Sequence, residues 1–211
     1  MKFAKVVPES LTAGTFAEVY DDIDSMLRGK LVQNEDAEKQ RITHAIIETA
    51  VFERVKFTKS KLAKLELTDV IFKNCDFSNC DLTNATLYRV EFYDCKLVGA
   101  NLEGSYLSQV LFDHCLLDLA GLNKLDVRKT QFVSCNLKDA NFSDNNLRET
   151  ELVDCDINNL MLYDTSLKNL DLSSCRFATL ELESKTLRGL TVTEEQAAML
   201  ANSYLGVRIK Y

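Results

Sequence analysis

Apolar residues recur at every fifth position along most of the chain. From Ile42 to Val192 each fifth residue is aliphatic or Phe, without one polar interruption. A helix face repeats every 3.6 residues and a strand face every two, so a period of five fits neither element. It predicts a coil that turns one corner per five residues, and self-similarity at a fixed period is typical of a solenoid. We call this series the central column.

A second inward column lies two residues before each central position and holds mostly small residues. All seven cysteines fall in it, and six of them are spaced by twenty residues: Cys75, Cys95, Cys115, Cys135, Cys155 and Cys175. Four pentapeptides therefore make one turn, with residues twenty apart stacked at the inter-strand spacing of ~4.8 Å. We expect the cysteines to be interior and reduced. Asn145, Thr150 and Lys185 depart from the small pattern, and Lys185 is expected to mark a fraying last coil.

The repeats resemble the pentapeptide-repeat family, whose pattern is a small residue, then Asp or Asn, then Leu or Phe, then two mostly polar residues. Segments that match it closely are CDFSN at 75–79, CDLTN at 80–84 and ANFSD at 140–144. The resemblance implies an all-β solenoid, a right-handed quadrilateral β-helix whose Asp and Asn side chains satisfy backbone groups at the turns. It would explain how the chain turns with seven Gly and one Pro.

Three regions follow from where the period begins and ends. We expect an N-terminal cap over residues 1–25, a pentapeptide-repeat β-helix over 26–192, and a C-terminal helix and dimerisation tail over 193–211. Thr193 and Gln196 form a capping-box pattern, which predicts a helix from about 194 to 204. Beyond it Leu205, Val207 and Ile209 alternate like a short strand.

One face of the predicted helix is apolar and has two interpretations. Its residues are Ala197, Leu200, Ala201 and Tyr204. They can cover the open end of the solenoid, because an uncovered end exposes apolar core and strand edges. Alternatively they mediate a dimer, since in Qnr-type family members, which this ending resembles, a similar helix joins two β-helices end to end. The resemblance implies the homodimer.

Charge and hydropathy limit the partners. The formal net charge is −7, from 32 acids and 25 bases, which disfavours direct binding of nucleic acid and favours a partner with a basic surface. The N-terminus lacks a continuous apolar stretch, and no segment is long and apolar enough to predict a membrane span. We therefore expect a cytoplasmic protein with free thiols and no membrane association.

One outward face concentrates acids. We call the residues that flank Phe52, Phe72, Phe92, Phe112, Phe132, Leu152 and Leu172 the acidic face; it carries seven acids and only two bases. Its predicted partner-binding residues are Glu91, Asp94, Asp113, Glu151, Asp154 and Asp171. The opposite face has acids mainly in its C-terminal half, and the two intervening faces are close to neutral in total charge. The alternatives are a solvated surface or a rod of negative charge that imitates duplex DNA.

Nothing in the sequence predicts catalysis. His44 and His114 lie two residues after central positions, where side chains point outward, and no Gly-rich phosphate loop or poised nucleophile accompanies them. Stacked cysteines facing a packed interior lack the tetrahedral arrangement that zinc prefers. We expect no catalytic, cofactor-binding or metal-binding residues.

The uninterrupted coil and its ending look most like loop-less Qnr-type topoisomerase-protection proteins. That resemblance implies binding to DNA gyrase or topoisomerase IV and relief of fluoroquinolone inhibition. Two alternatives stay open at this point: a scaffold or regulatory interaction protein with an unknown partner, and an immunity protein against another gyrase-directed toxin.

Overall fold

The computed structural model describes residues 3–208. One α-helix, α1 (Glu194–Leu205), follows a series of parallel strands, and short 3-10 turns cover Pro8–Ser10, Phe16–Tyr20 and Ser184–Leu187. The strands are β1 (Thr12–Gly14), β2 (Met26–Arg28), β3 (Lys30–Gln33), β4 (Ile46–Glu53), β5 (Glu66–Lys73), β6 (Thr86–Tyr93), β7 (Tyr106–Asp113), β8 (Asp126–Val133), β9 (Asn146–Val153), β10 (Leu160–Met161) and β11 (Leu180–Glu181).

Successive coils stack in parallel with an offset of twenty residues. Strands β4 to β9 pair in chain order, so that Phe52 lies opposite Phe72 and Phe72 opposite Phe92. On the other faces, parallel bridges continue from Asp36↔Lys56 to Asp171↔Thr191. The predicted parallel solenoid with a C-terminal helix is confirmed.

The corners use left-handed backbone at residues other than glycine. From Asn34 to Asn169 every fifth residue, two after each central position, has a positive φ; Lys59 is at 58° and Leu119 at 59°. Such a conformation costs an L-residue ~1–2 kcal/mol. Hydrogen bonds between coils offset this cost, as where the Lys59 N–H donates to the Ser78 carbonyl at 3.0 Å. Carboxylates also contribute, since Asp76 Oδ1 accepts the Ser78 N–H at 2.9 Å.

Stacked aromatic rings fill the core. Phe52, Phe72, Phe92, Phe112 and Phe132 form one ladder with centroid separations from 5.0 Å to 4.8 Å. All seven cysteines are buried beside it and none forms a disulfide. Burial raises the pKa of Cys80 to about 12, because the thiolate loses its hydration. The prediction that the cysteines are interior is confirmed.

Of two polar residues in the small inward column, one has hydrogen-bond partners for its side chain and the other does not. Asn145 is buried, its Oδ1 accepts the Leu125 N–H at 2.7 Å, and its Nδ2 donates to the Leu122 carbonyl at 2.9 Å. Thr150 Oγ1 is buried without a hydrogen-bond partner among residues 3–208. Lys185 lies exposed on the 3-10 turn Ser184–Leu187, where the five-residue corners have ended.

The N-terminal region, expected to be a cap over 1–25, both closes the end of the solenoid and runs along its outside. Strand β1 pairs with β3, and Phe16 and Val19 are buried at the first coil, with the Phe16 ring 5.1 Å from the Phe57 ring. These residues close the N-terminal end. Residues 3–7, which we call the N-terminal strap, instead run along the outside of the coils, as described below.

Helix α1 covers the C-terminal end of the same chain. The predicted capping box is present: Thr193 Oγ1 accepts the Gln196 N–H at 3.2 Å, and Gln196 Oε1 accepts the Thr193 N–H at 2.9 Å. Gln196 Nε2 also donates to the carbonyls of Leu172 at 3.1 Å and Cys175 at 2.9 Å. These contacts fix the start of the helix on the last coil.

This placement corrects the predicted dimerisation residues. Leu200 is buried against the solenoid, and the Tyr204 hydroxyl donates to the Leu180 carbonyl. The apolar face is therefore used as an end cap within one chain. Ala201 is half-buried and only Ala197 is exposed. Dimerisation stays a prediction, and it would have to use exposed side chains such as Leu205 and Val207; the proposed alternation includes Ile209, which lies outside the described residues.

The stack opens on one side of the last coil. No backbone hydrogen bond joins β9 to residues 166–173 within the described chain, although β8 and β9 are fully paired. Residues 167–170 form a tight turn, with the Leu170 N–H donating to the Leu167 carbonyl at 3.1 Å, where earlier coils carry an eight-residue strand. A cleft therefore lies between β9 and this turn.

No helix in residues 3–208 is long and apolar enough to cross a membrane.

Candidate partner-binding surface

The acidic face contains a group of free carboxylates. Asp94, Glu151, Asp154 and Asp171 are exposed, and none has a basic side chain within 4 Å among residues 3–208. Glu151 and Asp171 directly precede central residues, and Asp94 and Asp154 lie at left-handed corners two residues after central positions. These four carboxylates are available to a partner.

Two other acids of this face are already paired. Asp113 is half-buried and lies 2.7 Å from His114 Nδ1. Glu53 accepts from Gln33 Nε2 at 2.7 Å and lies 3.4 Å from Lys73 Nζ. The Gln33 hydrogen bond, opposed by burial and helped by Lys73, holds the pKa of Glu53 below its usual value. Their charges contribute less to an outside partner than those of the free carboxylates.

The prediction that Glu91 lies on the free surface is wrong. Its side chain is 1% exposed, because the N-terminal strap crosses it. The backbone N–H groups of Phe3 and Ala4 both donate to Glu91 Oε1, the latter at 2.9 Å, and the Tyr93 hydroxyl donates to Oε2 at 2.9 Å. Glu91 therefore binds a segment of its own chain.

A second carboxylate holds the strap two residues further on. Asp69 Oδ1 accepts the Lys5 N–H at 2.8 Å and also Arg89 Nε at 2.6 Å. Burial raises the pKa of Asp69, but the hydrogen bonds from Arg89 and Lys5 outweigh it, so the net pKa lies below the usual value. The outward residues Val51 and Leu111 of the same stripe are buried too. The strap thus covers the acidic face at Glu91 and the neighbouring corner at Asp69.

Replacing Glu91→Ala is expected to release the strap while leaving the solenoid folded. The substitution removes the shared acceptor of two N–H groups, and hydrogen bonds to a charged group contribute ~1.5–3 kcal/mol each. Hydrogen exchange at the Phe3 and Ala4 amides should become faster, with little change in the core amides. Glu91→Gln, which keeps one acceptor oxygen, is the control and should give intermediate exchange. Unchanged protection in Glu91→Ala would show that the carboxylate does not hold the strap.

Three of the four free carboxylates lie in the C-terminal half. Glu151 accepts from Gln131 Nε2 at 2.6 Å. Asp171 accepts the Ser173 N–H at 2.8 Å, and the hydrogen bonds from the Ser173 side chain and backbone lower the pKa of Asp171. With Asp154 these residues place three exposed carboxylates on two neighbouring coils.

Sequence reasoning missed a column of bases on the adjacent face. Its residues are twenty apart and all exposed: Arg128, Arg148, Lys168 and Arg188. The total charge of this face is close to neutral, because the acids Glu48, Glu66, Asp69, Asp126 and Glu149 offset its bases, but the total hides the column. The twenty-residue spacing was visible in the sequence and is the signal that could have revealed the column.

The histidines show no catalytic arrangement. His44 Nε2 lies 2.6 Å from Glu66 Oε1, and His114 pairs with Asp113 as described above. Both side chains are exposed, and no nucleophile adjoins either ion pair. Among residues 3–208 no group of three or more His, Cys, Asp or Glu side chains is arranged to hold a metal ion.

The repeat region matches a known protein-family model. A family model described as a pentapeptide repeat region matches residues 45–122 and 125–199. These segments together make up more than half of the chain. No curated protein matches the chain significantly in sequence.

Solved structures with the same architecture are distant in sequence. A trypsin-treated form of QnrB1, a plasmid-mediated fluoroquinolone resistance protein, is 18% identical with a TM-score of 0.43; the match covers 88% of this chain and 99% of that one. HetL, a pentapeptide repeat protein involved in heterocyst differentiation regulation in the cyanobacterium Nostoc sp. strain PCC 7120, is 17% identical with a TM-score of 0.29, covering 79% and 86%. These likenesses concern the fold.

Proposed function

The chain belongs to the pentapeptide-repeat family, and from that premise we propose that it works by binding and not by catalysis. The proposed partner is a type II topoisomerase, DNA gyrase or topoisomerase IV, in the cytoplasm. The chain binds the enzyme as an acidic mimic of duplex DNA and so protects it from fluoroquinolones. The observation that carries this proposal is the group of exposed, unpaired carboxylates formed by Glu151, Asp154 and Asp171.

The spacing of the coils supports mimicry of a nucleic-acid backbone. Equivalent residues of successive coils repeat at ~4.8 Å along the solenoid, and phosphates along one strand of duplex DNA repeat at ~3.4 Å of helix axis. Both surfaces therefore present rows of negative charge on a stiff rod. A protein groove that is lined with bases and shaped for a DNA segment can accept either one.

Electrostatics determines how such a complex should behave. Complementary surfaces steer the encounter of two proteins and raise the association rate. Because the carboxylates are exposed, mobile ions screen them over ~8 Å at physiological ionic strength. Binding should consequently weaken as salt is added.

A supercoiling assay tests the proposal directly. Purified gyrase is inhibited with ciprofloxacin on relaxed plasmid, and the protein is added over a range of concentrations. We expect supercoiling to recover, because the protein competes with DNA for the enzyme and destabilises the drug-trapped complex. Recovery should be lost at high salt. If supercoiling stays inhibited and a pull-down captures neither gyrase nor topoisomerase IV, the topoisomerase assignment is wrong.

A further inference from the structure

A column of unpaired bases lies where the coil stack opens. Arg148, Lys168 and Arg188 occupy the same register position in three successive coils, and none has a carboxylate within 4 Å among the described residues. Like charges held close together repel each other. The chain has more acids than bases, so pairing partners are plentiful, yet these bases stay free. Their placement calls for an anion from outside the chain.

Two clefts bring these bases together. An open cleft of about 650 Å³ is lined by Lys168, Lys185 and Arg188 with the hydroxyls of Ser166 and Thr186. A neighbouring cleft of about 300 Å³ lies between β9 and residues 166–170; it shares Ser166 and Lys168 and adds Arg148, Asn169 and Thr150. Ser166 and Lys168 line both clefts, so the two clefts adjoin across this segment, and we call them together the depression.

Unsatisfied polar groups line the same depression. Strand β9 has no backbone hydrogen bonds to residues 166–173 along this edge within the described chain. A polar backbone group that loses its hydrogen bond costs ~1–3 kcal/mol unless another group or water replaces the partner. Donors left free at a backbone edge, together with hydroxyls and guanidinium groups, are the usual elements of an anion site.

We propose that this depression binds a compact phosphate-rich anion, one that carries two or three linked phosphate groups. Four bases and two acids, Glu149 and Asp164, line the two clefts, so the site has a local excess of positive charge in a protein of net charge −7. Guanidinium groups bind phosphate oxygens in bidentate fashion. Lys185 already contacts Glu183 at 2.5 Å and Asp164 at 3.7 Å, which leaves Arg148, Lys168 and Arg188 as the principal ligands.

A small anion fits better than a nucleic acid. The three free bases occupy only three successive coils, so they present a short row of positive charge. The exposed carboxylates Glu151, Asp154 and Asp171 lie on the adjoining face and repel a longer polyanion. The chemistry of the site recognises the phosphate chain, which a nucleotide or an inorganic oligophosphate can supply.

Isothermal titration calorimetry of the full chain tests this site with defined probes: inorganic triphosphate, ATP, AMP and a 20-base-pair DNA duplex. We expect saturable 1:1 binding of inorganic triphosphate and ATP, and AMP at least tenfold weaker. Equal affinity for triphosphate and ATP means that the phosphate chain alone is recognised, and tighter ATP binding means that a nucleotide is the ligand. Absence of saturable binding to both, or DNA bound more tightly than triphosphate, overturns the proposal.

Two triple variants distinguish binding at this site from general attraction of an anion to basic side chains. In R148Q/K168Q/R188Q the affinity for triphosphate should fall at least tenfold. The matched control K56Q/K59Q/K61Q removes three exposed bases from the N-terminal coils and changes the net charge equally, so it should bind as the wild type does. Circular dichroism confirms that both variants are folded. Equal binding by both variants shows that the depression is not the site.

Discussion

Phe92→Ala is expected to destabilise the protein by about 3–5 kcal/mol, the range for truncating a buried phenylalanine. Phe92 is 2% exposed and stacks between Phe72 at 4.9 Å and Phe112 at 4.8 Å. It also contacts the Phe77 ring edge-on at 5.9 Å. The neighbouring rings are held by their own coils, so they cannot collapse into the space, and a cavity remains.

Equilibrium unfolding in urea, followed by circular dichroism, measures this effect. Phe92→Leu is the matched control, because Leu152 occupies the same column one coil after Phe132. It should cost about 1.5 kcal/mol or less. Since each coil contacts only its neighbours, a large loss in the middle of the stack should also reduce the cooperativity of unfolding. If Phe92→Ala costs no more than Phe92→Leu, the aromatic ladder is not a main source of stability.

E151Q/D154N/D171N is expected to bind gyrase at least tenfold more weakly than the wild type and to lose protection in the ciprofloxacin assay. The three carboxylates are exposed, free of ion pairs and close enough for their fields to add. A tenfold loss corresponds to about 1.4 kcal/mol of binding free energy. Three charges at a complementary surface can supply this amount. Exposed substitutions change stability by ~0.5 kcal/mol or less, so the variant should remain folded.

The control for this variant removes the same number of charges elsewhere. D21N/D24N/E38Q neutralises exposed acids at the N-terminal end, which have no ion pairs among the described residues. It should bind and protect as the wild type does, and the salt dependence of binding should fall only in the acidic-face variant. Wild-type affinity in a folded E151Q/D154N/D171N protein would identify this face as solvated surface, and a scaffold role with another partner would then be favoured.

The core was predictable because one physical constraint acts at every coil. A period of five with no polar interruption admits few architectures, so the ladder from Phe52 to Phe132 and the interior cysteines followed directly from counting residues. The capping box at Thr193 was equally predictable, since it is a local pattern of four residues. Local and periodic signals do not depend on distant contacts.

Contacts between distant parts of the chain were not predictable from the pattern. The strap has no period, and Glu91 is buried by residues 87 and 88 positions away. The face with Leu200 and Tyr204 is apolar whether it covers its own solenoid or another chain. In the last coil Leu167 and Leu172 keep the central column buried, so the register gives no sign that the backbone pairing to β9 is lost.

Because the left-handed corners recur every five residues, the position of a residue in the sequence determines which face of the solenoid it lies on. Each corner from Asn34 to Asn169 advances the chain by a quarter of a turn and five residues. A duplication or deletion of twenty residues changes the length of the rod by one coil and leaves every face in phase. A duplication or deletion of five residues would instead rotate all later coils by ninety degrees. Glu151 and Asp171 would then lie on a different side from the strap. Selection on surface charge therefore restricts length changes to whole turns, although the core would accept any multiple of five.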